Sequence, residues 1–259
     1  MFHCGGTFLF CAGMILIYSH ITSTRLQYIC HFIFKELMGV DFSITVDSDE
    51  FTNYEGVKIN YSDTEIQNSK FKIQNYSLLF DEIIIIQEII CFEVNGVKVF
   101  FRTHNSDFPF DIFAASFYLI TRYEEYLPHE KDIYGRYDHK NSLAFKEGFL
   151  NLPLINIWVK DFTKALQQKF PSFRIQDLKF KIIPTYDIDI AYSNKHKGLL
   201  RNIGGFLRSP SLERIRVLVG FQKDPFDSYE WLNDLHQQYN LSPLYFFLVT
   251  SRNGQYDKN

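Results

Sequence analysis

The sequence predicts an α/β protein with two domains: an N-terminal α/β domain, and the first part of a second α/β domain built on parallel strands. Apolar or alternating runs recur between segments of helical periodicity, which is the order typical of this class. The 259 residues suffice for two domains, and 46% apolar with 22% charged residues can fill a core. We place the first domain at residues 14–175 and the second at 176–259, because Pro171 and Ser172 mark a boundary.

The N-terminal apolar run covers residues 8–18, and its last part, residues 14–18, predicts the first buried strand. Residues 1–13 are interpreted as an upstream extension from a misplaced start, because their glycines suit neither a helix nor a strand. A signal peptide is the alternative, although no Lys or Arg precedes the run and the run is shorter than a membrane span. We expect a cytoplasmic protein, with export through an atypical signal as the alternative.

The following segments alternate between helical and extended patterns. A helix is predicted over residues 23–38 and ended by Gly39, because four apolar residues share one face. Alternating runs at 40–46 and 57–61 predict half-buried strands, and residues 83–90 are strongly apolar. Asn95-Gly96 between two alternating runs predicts a β-hairpin. The apolar face of the helix consists of Leu26, Ile29, Ile33 and Leu37.

A long helix is predicted over residues 111–126, closed by Pro128, and another over residues 154–166. Near the end of the first helix, Arg122, Glu124 and Glu125 could serve a glycosidase. Residues i and i+1 of a helix do not face each other, however, so we expect a solvated helix end or an interdomain salt bridge.

The polar stretch 130–148 predicts a long ordered loop, whose charged and aromatic residues could line a sugar groove or only cover the domain. His104, His129 and His139 lack the spacing of a helical metal site, so we expect each at the surface. The net charge of −3 indicates no polyanion-binding surface, hence no nucleic acid. The four cysteines have no metal or redox spacing and are expected to be reduced; they are Cys4, Cys11, Cys30 and Cys91.

The connection 190–226 is basic and contains Gly204-Gly205, which lacks the pattern of a phosphate loop. A short helix is predicted at residues 212–221. The arginines of the connection could flank an anionic polymer near the metal, but a solvated face is favoured; they are Arg201, Arg208, Arg214 and Arg216. His196 has no motif that relates it to a metal site.

Two acidic residues follow the apolar run of Phe180, Ile182 and Ile183, which predicts a strand. Asp187 and Asp189 would project to the same side of an extended chain, just past the carboxyl end of that strand. Active sites of α/β folds lie at such ends, so we interpret the pair as one general base and one metal ligand. The alternative is a strand-end pair that caps amides or is solvated.

The next two elements complete a strand–helix–strand unit. Residues 227–239 predict a helix with Asp227 as its N-cap, Tyr229, Leu232, Leu235 and Tyr239 on its apolar face, and an exit at Asn240. Residues 242–249 predict a buried strand. The two strands should therefore pair in parallel through a right-handed crossover.

This unit resembles the polysaccharide deacetylase family (carbohydrate esterase family 4, the NodB homology domain) in Thr185-Tyr-Asp-Ile-Asp189, the helix, and Tyr245-Phe-Phe-Leu248. The resemblance implies the start of a (β/α) barrel, Asp187 as the catalytic base and Asp189 as a ligand of a divalent metal, usually zinc. It also implies an N-acetylated polysaccharide or a peptidoglycan-like glycan as the partner. Ile188 separates the two acids, whereas an adjacent pair is commoner in the family.

The family takes two histidine ligands from a His-x-x-x-His motif after the second strand, and no such motif lies between Val249 and Asn259. Catalytic zinc needs three protein ligands. We therefore expect this chain to be a partial product that does not hydrolyse N-acetyl groups by itself. A non-catalytic carbohydrate-binding or envelope-assembly protein of the same fold is the alternative.

The first domain resembles an N-terminal module, without a known function, that precedes the deacetylase-like domain in some bacterial proteins. This resemblance supports the order of the two domains and implies no second activity. The residues that carry it are Phe101-Arg-Thr, Asp111-Ile-Phe-Ala-Ala, Arg122-Tyr-Glu-Glu-Tyr-Leu-Pro128 and Ser142-Leu-Ala-Phe.

Overall fold

A computed structural model describes residues 14–175, 181–188, 191–195, 203–205, 207 and 211–247. The chain divides into two compact units, residues 1–178 and 179–259. Several sequence predictions fall outside the described residues: those on residues 1–13 with Cys4 and Cys11, and those on Phe180, Asp189, His196, Arg201, Arg208 and residues 248–259. Within the described residues, no helix combines the length and apolarity that crossing a membrane requires.

A four-stranded parallel sheet forms the centre of the first unit, in the order β2-β1-β3-β4. Its strands are β1 (Ile15–Tyr18), β2 (Phe42–Thr45), β3 (Lys58–Tyr61) and β4 (Lys72–Ile73). All four residues of β1 are buried, as expected for a central strand of a parallel sheet covered on both faces. Helices alternate with these strands, so the predicted α/β class is confirmed. The predictions missed β4, because two residues show no periodicity.

The helix after β1 changes its winding halfway. It begins as α1 (Thr24–Cys30), capped by the Ser23 hydroxyl, and continues as a π-helical segment, His31–Leu37. The wider winding places Phe34 and Met38 in the core and leaves the predicted Leu37 only half-buried. Gly39 ends the segment with a φ of +66°, a conformation that glycine adopts without strain.

A short helix that the periodicity did not predict follows β2. Helix α2 (Ser48–Asn53) is capped by Asp47, whose carboxylate accepts hydrogen bonds from the backbone N–H groups of Asp49 and Glu50. Six residues are too few to show an apolar stripe, but an Asp at the N-cap is a common start signal.

The predicted hairpin is confirmed. Strands β5 (Phe92–Val94) and β6 (Val97–Val99) pair antiparallel, with Val94 opposite Val97. Asn95 and Gly96 both have positive φ values, +52° and +75°. This is the type I′ turn that an Asn-Gly pair favours.

Two helices and the sheet enclose an aromatic core. Helix α3 (Ile112–Ile120) contributes Phe113, and helix α5 (Leu154–Lys169) contributes Phe162. Both rings are fully buried, with their centroids 5.9 Å apart in an edge-to-face arrangement. The prediction of α5 is confirmed, but α3 ends six residues before the predicted helix end.

The buried Asp111 joins α3 to the sheet. Its carboxylate accepts hydrogen bonds from the N–H groups of Phe113 and Ala114 at the start of α3, both at 3.0 Å. It also accepts one from the Tyr61 hydroxyl of β3 at 2.6 Å and one from the Tyr76 N–H at 2.9 Å. One side chain therefore ties together three separate parts of the chain.

The stretch predicted as a loop at 130–148 contains two short helical elements. A 3₁₀ turn, His139–Asn141, leads into α4 (Leu143–Lys146), which the Ser142 hydroxyl caps. The remainder is irregular and is closed by an isolated bridge between Lys131 and Tyr137.

Two strands and two helices of the second unit lie entirely within the described residues. They are β7 (Thr185–Ile188), α6 (Leu212–Leu218), α7 (Tyr229–Gln238) and β8 (Leu244–Phe247). The strands pair in parallel, which confirms the predicted pairing. The burial predicted for the second strand is wrong: Phe246 and Phe247 are each more than half exposed. Only two strands form this sheet in the described part of the unit, so few neighbouring residues shield its faces from solvent.

Candidate functional site

Asp187 lies within a strand rather than beyond its end. The residues 181–184, which the apolar pattern assigned to the strand, are not in β7, and Ile182 and Ile183 are exposed. Pairing begins when the Leu244 N–H donates to the Pro184 carbonyl, at 2.9 Å. The predicted position is therefore wrong by several residues, because Pro184 lacks an N–H group and the β-favouring Thr and Tyr follow it.

The two faces of β7 differ in their surroundings. Thr185 and Asp187 are on the exposed face, whereas Tyr186 and Ile188 are half-buried. The Tyr186 ring stacks on Tyr245 of β8, and its hydroxyl lies 2.9 Å from Nε2 of the buried His236 on α7. Helix α7 thus covers one face of the sheet and leaves the carboxylate of Asp187 on the other.

Helix α7 differs from its prediction in two details. It starts after Ser228, and no side-chain cap was found, so the predicted cap by Asp227 is wrong. Tyr239 is exposed, and the side chain that α7 buries most is His236. Asn240 has the predicted left-handed conformation at the helix exit, with a φ of +51°.

Asp189, the predicted metal ligand, lies outside the described residues, so the expectation that it faces the same side as Asp187 stays a prediction. No hydrogen bond or ion pair holds Asp187 among the described residues. Nor does any group of three His, Cys, Asp or Glu side chains within the described part of the chain have a geometry that could bind a metal.

A buried aspartate that the sequence analysis missed orders the segment after β7. Asp224 is 2% exposed and accepts four backbone hydrogen bonds at 2.7–3.1 Å. Burial alone would raise the pKa of its carboxyl, but these four donors lower it to about 2. The donors are Ser193, Asn194, Lys195 and Phe226. Asp224-Pro225 is a recognisable turn signal, but nothing in the local pattern indicates partners thirty residues away.

Of the four arginines near this segment, two are described. Arg214 Nε donates to the Asn194 side chain at 3.2 Å, so this arginine belongs to the same ordered segment. Arg216 is exposed, in agreement with the solvated face that we favoured.

In the first unit, the structure corrects the prediction for Arg122, Glu124 and Glu125. Helix α3 ends at Ile120, and a 3₁₀ turn, Tyr123–Tyr126, follows. Both glutamates are half-buried, not solvated. The Leu143 N–H donates to Glu124 at 2.6 Å, and burial raises the pKa of this carboxyl; Glu125 forms an ion pair with Arg122.

Both glutamates line one cavity of about 430 Å³, which we call the first-unit cleft. It lies between the end of α3, the 3₁₀ turn, residues 137–142 and the start of α5. Neighbouring residues diverge in a 3₁₀ turn as they do in an α-helix, yet both glutamates border this cavity. The polar residues of the first-unit cleft include Arg122, Glu124, Glu125, Tyr137 and His139.

Arg122 has an unusual backbone at the mouth of this cleft. Its φ of +52° and ψ of +46° are left-handed, a conformation that costs a residue other than glycine about 1–2 kcal/mol. The position follows the end of a helix, where glycine is the usual residue. The side chain of Arg122 is 71% exposed, so its ion pair with Glu125 contributes only about 0–1 kcal/mol in return.

Of the three histidines predicted to lie at the surface, two are exposed and one is half-buried. His104 and His139 are exposed, and the half-buried His129 donates from Nδ1 to the Leu127 carbonyl at 2.8 Å. Cys30 and Cys91 are free thiols, and burial raises the pKa of both.

Comparisons with known proteins concern the first unit. The model of a family of unknown function, DUF7033, matches residues 15–171. No curated protein and no solved structure matches the chain, and no deacetylase family was matched. Since the matched residues make up more than half of the 259, the chain belongs to the DUF7033 family.

Proposed function

We propose that the second unit is part of a polysaccharide-deacetylase-like domain, a kind of domain that hydrolyses N-acetyl groups on a sugar polymer or a peptidoglycan-like glycan, and that this chain is inactive by itself. In this proposal β7 and β8 are the first strands of a (β/α) barrel, Asp187 is the catalytic base and Asp189 is a ligand of a divalent metal, usually zinc in that family. The observation that carries the proposal is the parallel β7–β8 pair, with Asp187 exposed on β7 and α7 packed against the opposite face.

The proposed reaction breaks one amide bond. Water adds to the N-acetyl carbonyl, the C–N bond breaks, and acetate and the free amine of the sugar are released. Asp187 would accept the proton of the attacking water, because a carboxylate on the open face of β7 can reach a glycan from solvent.

The described residues do not fit a complete zinc site. Catalytic zinc takes three protein ligands and keeps a fourth position open, and one carboxylate cannot hold it. Asp187 is the one candidate ligand on β7, and no group of three ligands was found within the described ranges. We therefore expect hydrolysis only where further ligands join Asp189, with Asp187 as the base.

This poor fit favours a second candidate function, a non-catalytic carbohydrate-binding or envelope-assembly protein of the same fold. The two functions differ in their need for a metal. A glycan-binding protein would bind its ligand equally well in the presence of a chelator, whereas a deacetylase would lose activity.

Zinc uptake tests the site. The full chain and the variants Asp187→Asn, Asp189→Asn and Asp234→Asn would be dialysed against zinc and their metal content measured by mass spectrometry. Asp234 is an exposed aspartate on α7 and serves as the control. We expect less zinc in Asp189→Asn than in the wild type and the control, because this variant lacks the proposed carboxylate ligand. Asp187→Asn, which removes the proposed base, should keep the zinc content of the wild type.

Acetate release from a chitooligosaccharide would be measured on the same samples. We expect it only in samples that contain stoichiometric zinc. Equal zinc content in all four proteins would overturn the assignment of the site. Glycan binding that is unchanged both without zinc and in Asp187→Asn would favour the non-catalytic function.

A further inference from the structure

The first-unit cleft has one apolar wall and one polar wall. Its volume of about 430 Å³ is within the range of small-molecule sites. A second hollow of about 450 Å³ shares Arg122, Glu125, Tyr137 and His139 with it and extends the polar wall. The apolar wall comprises Leu119, Ile120, Phe149, Leu152 and Leu154. Such a pairing of walls suits a ligand that has one apolar face and several polar groups.

The strain at Arg122 indicates that the guanidinium has a role beyond stability. Glycine would serve the helix exit without strain, and the exposed ion pair with Glu125 does not offset the cost of the left-handed backbone. Strained positions that the fold does not require are concentrated at functional sites. The guanidinium lies at the mouth of the first-unit cleft, so a ligand there would contact it.

Tyr137 provides an independent observation. Its hydroxyl oxygen is buried, and no hydrogen-bond partner for it was found within the described residues. Burial and the nearby carboxylates of Glu124 and Glu125 raise the pKa of Tyr137 to about 12, so the hydroxyl keeps its proton. A buried donor without an acceptor is unfavourable, and a ligand oxygen in the cleft would satisfy it.

Most charged groups of the polar wall already have a partner within the protein. Glu125 is paired with Arg122, and Asp132 forms an ion pair with Arg136, whose Nε donates a hydrogen bond to it. Glu124 accepts a hydrogen bond from the Leu143 N–H at 2.6 Å. The carboxylates of Glu124, Glu125 and Asp132 therefore have partners within the protein, which reduces what a strongly charged ligand would gain here. Apart from the ion pair of Glu125, the Tyr137 hydroxyl and Glu125 Oε1 are the buried atoms of this wall that lack a hydrogen-bond partner among the described residues.

We propose that the first-unit cleft binds an uncharged pyranose ring of a glycan. Each hydroxyl group of a sugar can both donate and accept a hydrogen bond, so neighbouring hydroxyls can bond to the paired ions and to the Tyr137 hydroxyl. The C–H face of the ring packs on the apolar wall. This binding site lies within the first unit and needs no metal, so it goes beyond the function proposed for the second unit.

The test uses the full chain and three neutral trisaccharides: triacetylchitotriose, cellotriose and maltotriose. Binding would be measured by saturation-transfer NMR and titration calorimetry, with the chitosan trimer and inorganic phosphate as charged probes. We expect at least one neutral trisaccharide to bind more tightly than either charged probe. Failure of all three to bind, or preference for a charged probe, would overturn the proposal.

Two variants locate the site. Tyr137→Phe should weaken binding roughly three- to tenfold, as the loss of one hydrogen bond predicts, and Tyr134→Phe on the same loop is its control. Arg122→Gly should weaken binding about tenfold and yet raise the melting temperature by about 2–4 °C, because glycine relieves the backbone strain. Asn68→Gly, at an exposed position with a φ of +60°, is the matched control for backbone relief.

The outcomes separate this proposal from the preceding one. Binding that is the same in the wild type, Tyr137→Phe and Arg122→Gly would place the sugar elsewhere and overturn the proposal. Binding that is lost in Asp187→Asn but kept in the cleft variants would assign the glycan to β7 instead. Binding that survives both a chelator and Asp187→Asn is the result expected here.

Discussion

The two units of the chain are stabilised in different ways. The first unit buries a large aromatic core, in which Phe34, Phe71, Phe113 and Phe162 are all fully buried. In the described part of the second unit, Val217 is the one apolar side chain that is buried, and the other buried side chains are polar. Burial of apolar side chains thus stabilises the first unit. In the described part of the second unit, hydrogen bonds to a few buried polar side chains hold the chain in place instead.

The largest expected difference is between two Phe→Ala substitutions. Phe113→Ala should cost the first unit about 3–5 kcal/mol, because it leaves a cavity among Phe34, Tyr61 and Phe162. Phe247→Ala should change stability by less than about 0.5–1 kcal/mol, because its ring is 54% exposed. Hydrogen exchange read by mass spectrometry, segment by segment in urea, measures both units in one experiment. Similar costs at the two positions would contradict the comparison.

The next effect concerns the pH dependence of the first unit. Burial raises the pKa of Asp111 from 3.8 to about 6, although the hydrogen bonds from Tyr61, Ala114, Tyr76 and Phe113 oppose the rise. The folded state therefore binds the proton more tightly. The stability that the protonated Asp111 carboxyl contributes is complete below pH 4. It is lost as the pH rises through 6, and the loss amounts to about 3 kcal/mol in total.

Unfolding free energies of the first unit between pH 4 and 7 would measure this loss. Asp111→Asn should remove the pH-dependent step, and at pH 7 it should destabilise the unit by about 1–3 kcal/mol, because an amide N–H₂ would face backbone donors. Asp49→Asn, at an exposed position of α2, is the control. A first unit whose stability does not fall over this range would refute the expectation.

The smallest effect is local to the second unit and has the opposite sign. The pKa of Asp224 is lowered to about 2, so its stabilisation is present above pH 4 and is lost as the pH falls through 2. Asp224→Asn should cost about 1–2 kcal/mol, seen as faster hydrogen exchange at Ser193, Asn194 and Lys195. The first unit should exchange as before, and a change there would show that the two units do not respond independently.

The sequence analysis succeeded where a structure depends on neighbours along the chain. The Asn95-Gly96 hairpin, the start of β1 and the stripe of α5 need only local conformational preferences or a regular apolar period. It was wrong at Arg122, because a left-handed arginine contradicts the local preference for glycine and the helical pattern continues through it. The sequence therefore does not indicate the first-unit cleft as a site, although the polar loop 130–148 has residues that could line a sugar groove.

The predicted site at β7 shows the same division. Parallel pairing of the strands followed from the order of elements, and it was confirmed. The position of Asp187 within the strand depended instead on where pairing with β8 begins, at Pro184 and Leu244. An apolar run does not contain that information, because register is chosen by both strands together.

By itself, the sequence determined the α/β class, the hairpin and the parallel pairing, because periodicity and turn chemistry act over a few residues. Only the tertiary structure decided that Glu124 and Glu125 share a cavity and that Asp111 and Asp224 are buried anchors. The physical reason is that the burial and the hydrogen-bond partners of a polar group come from residues far away in the chain, which no local pattern records.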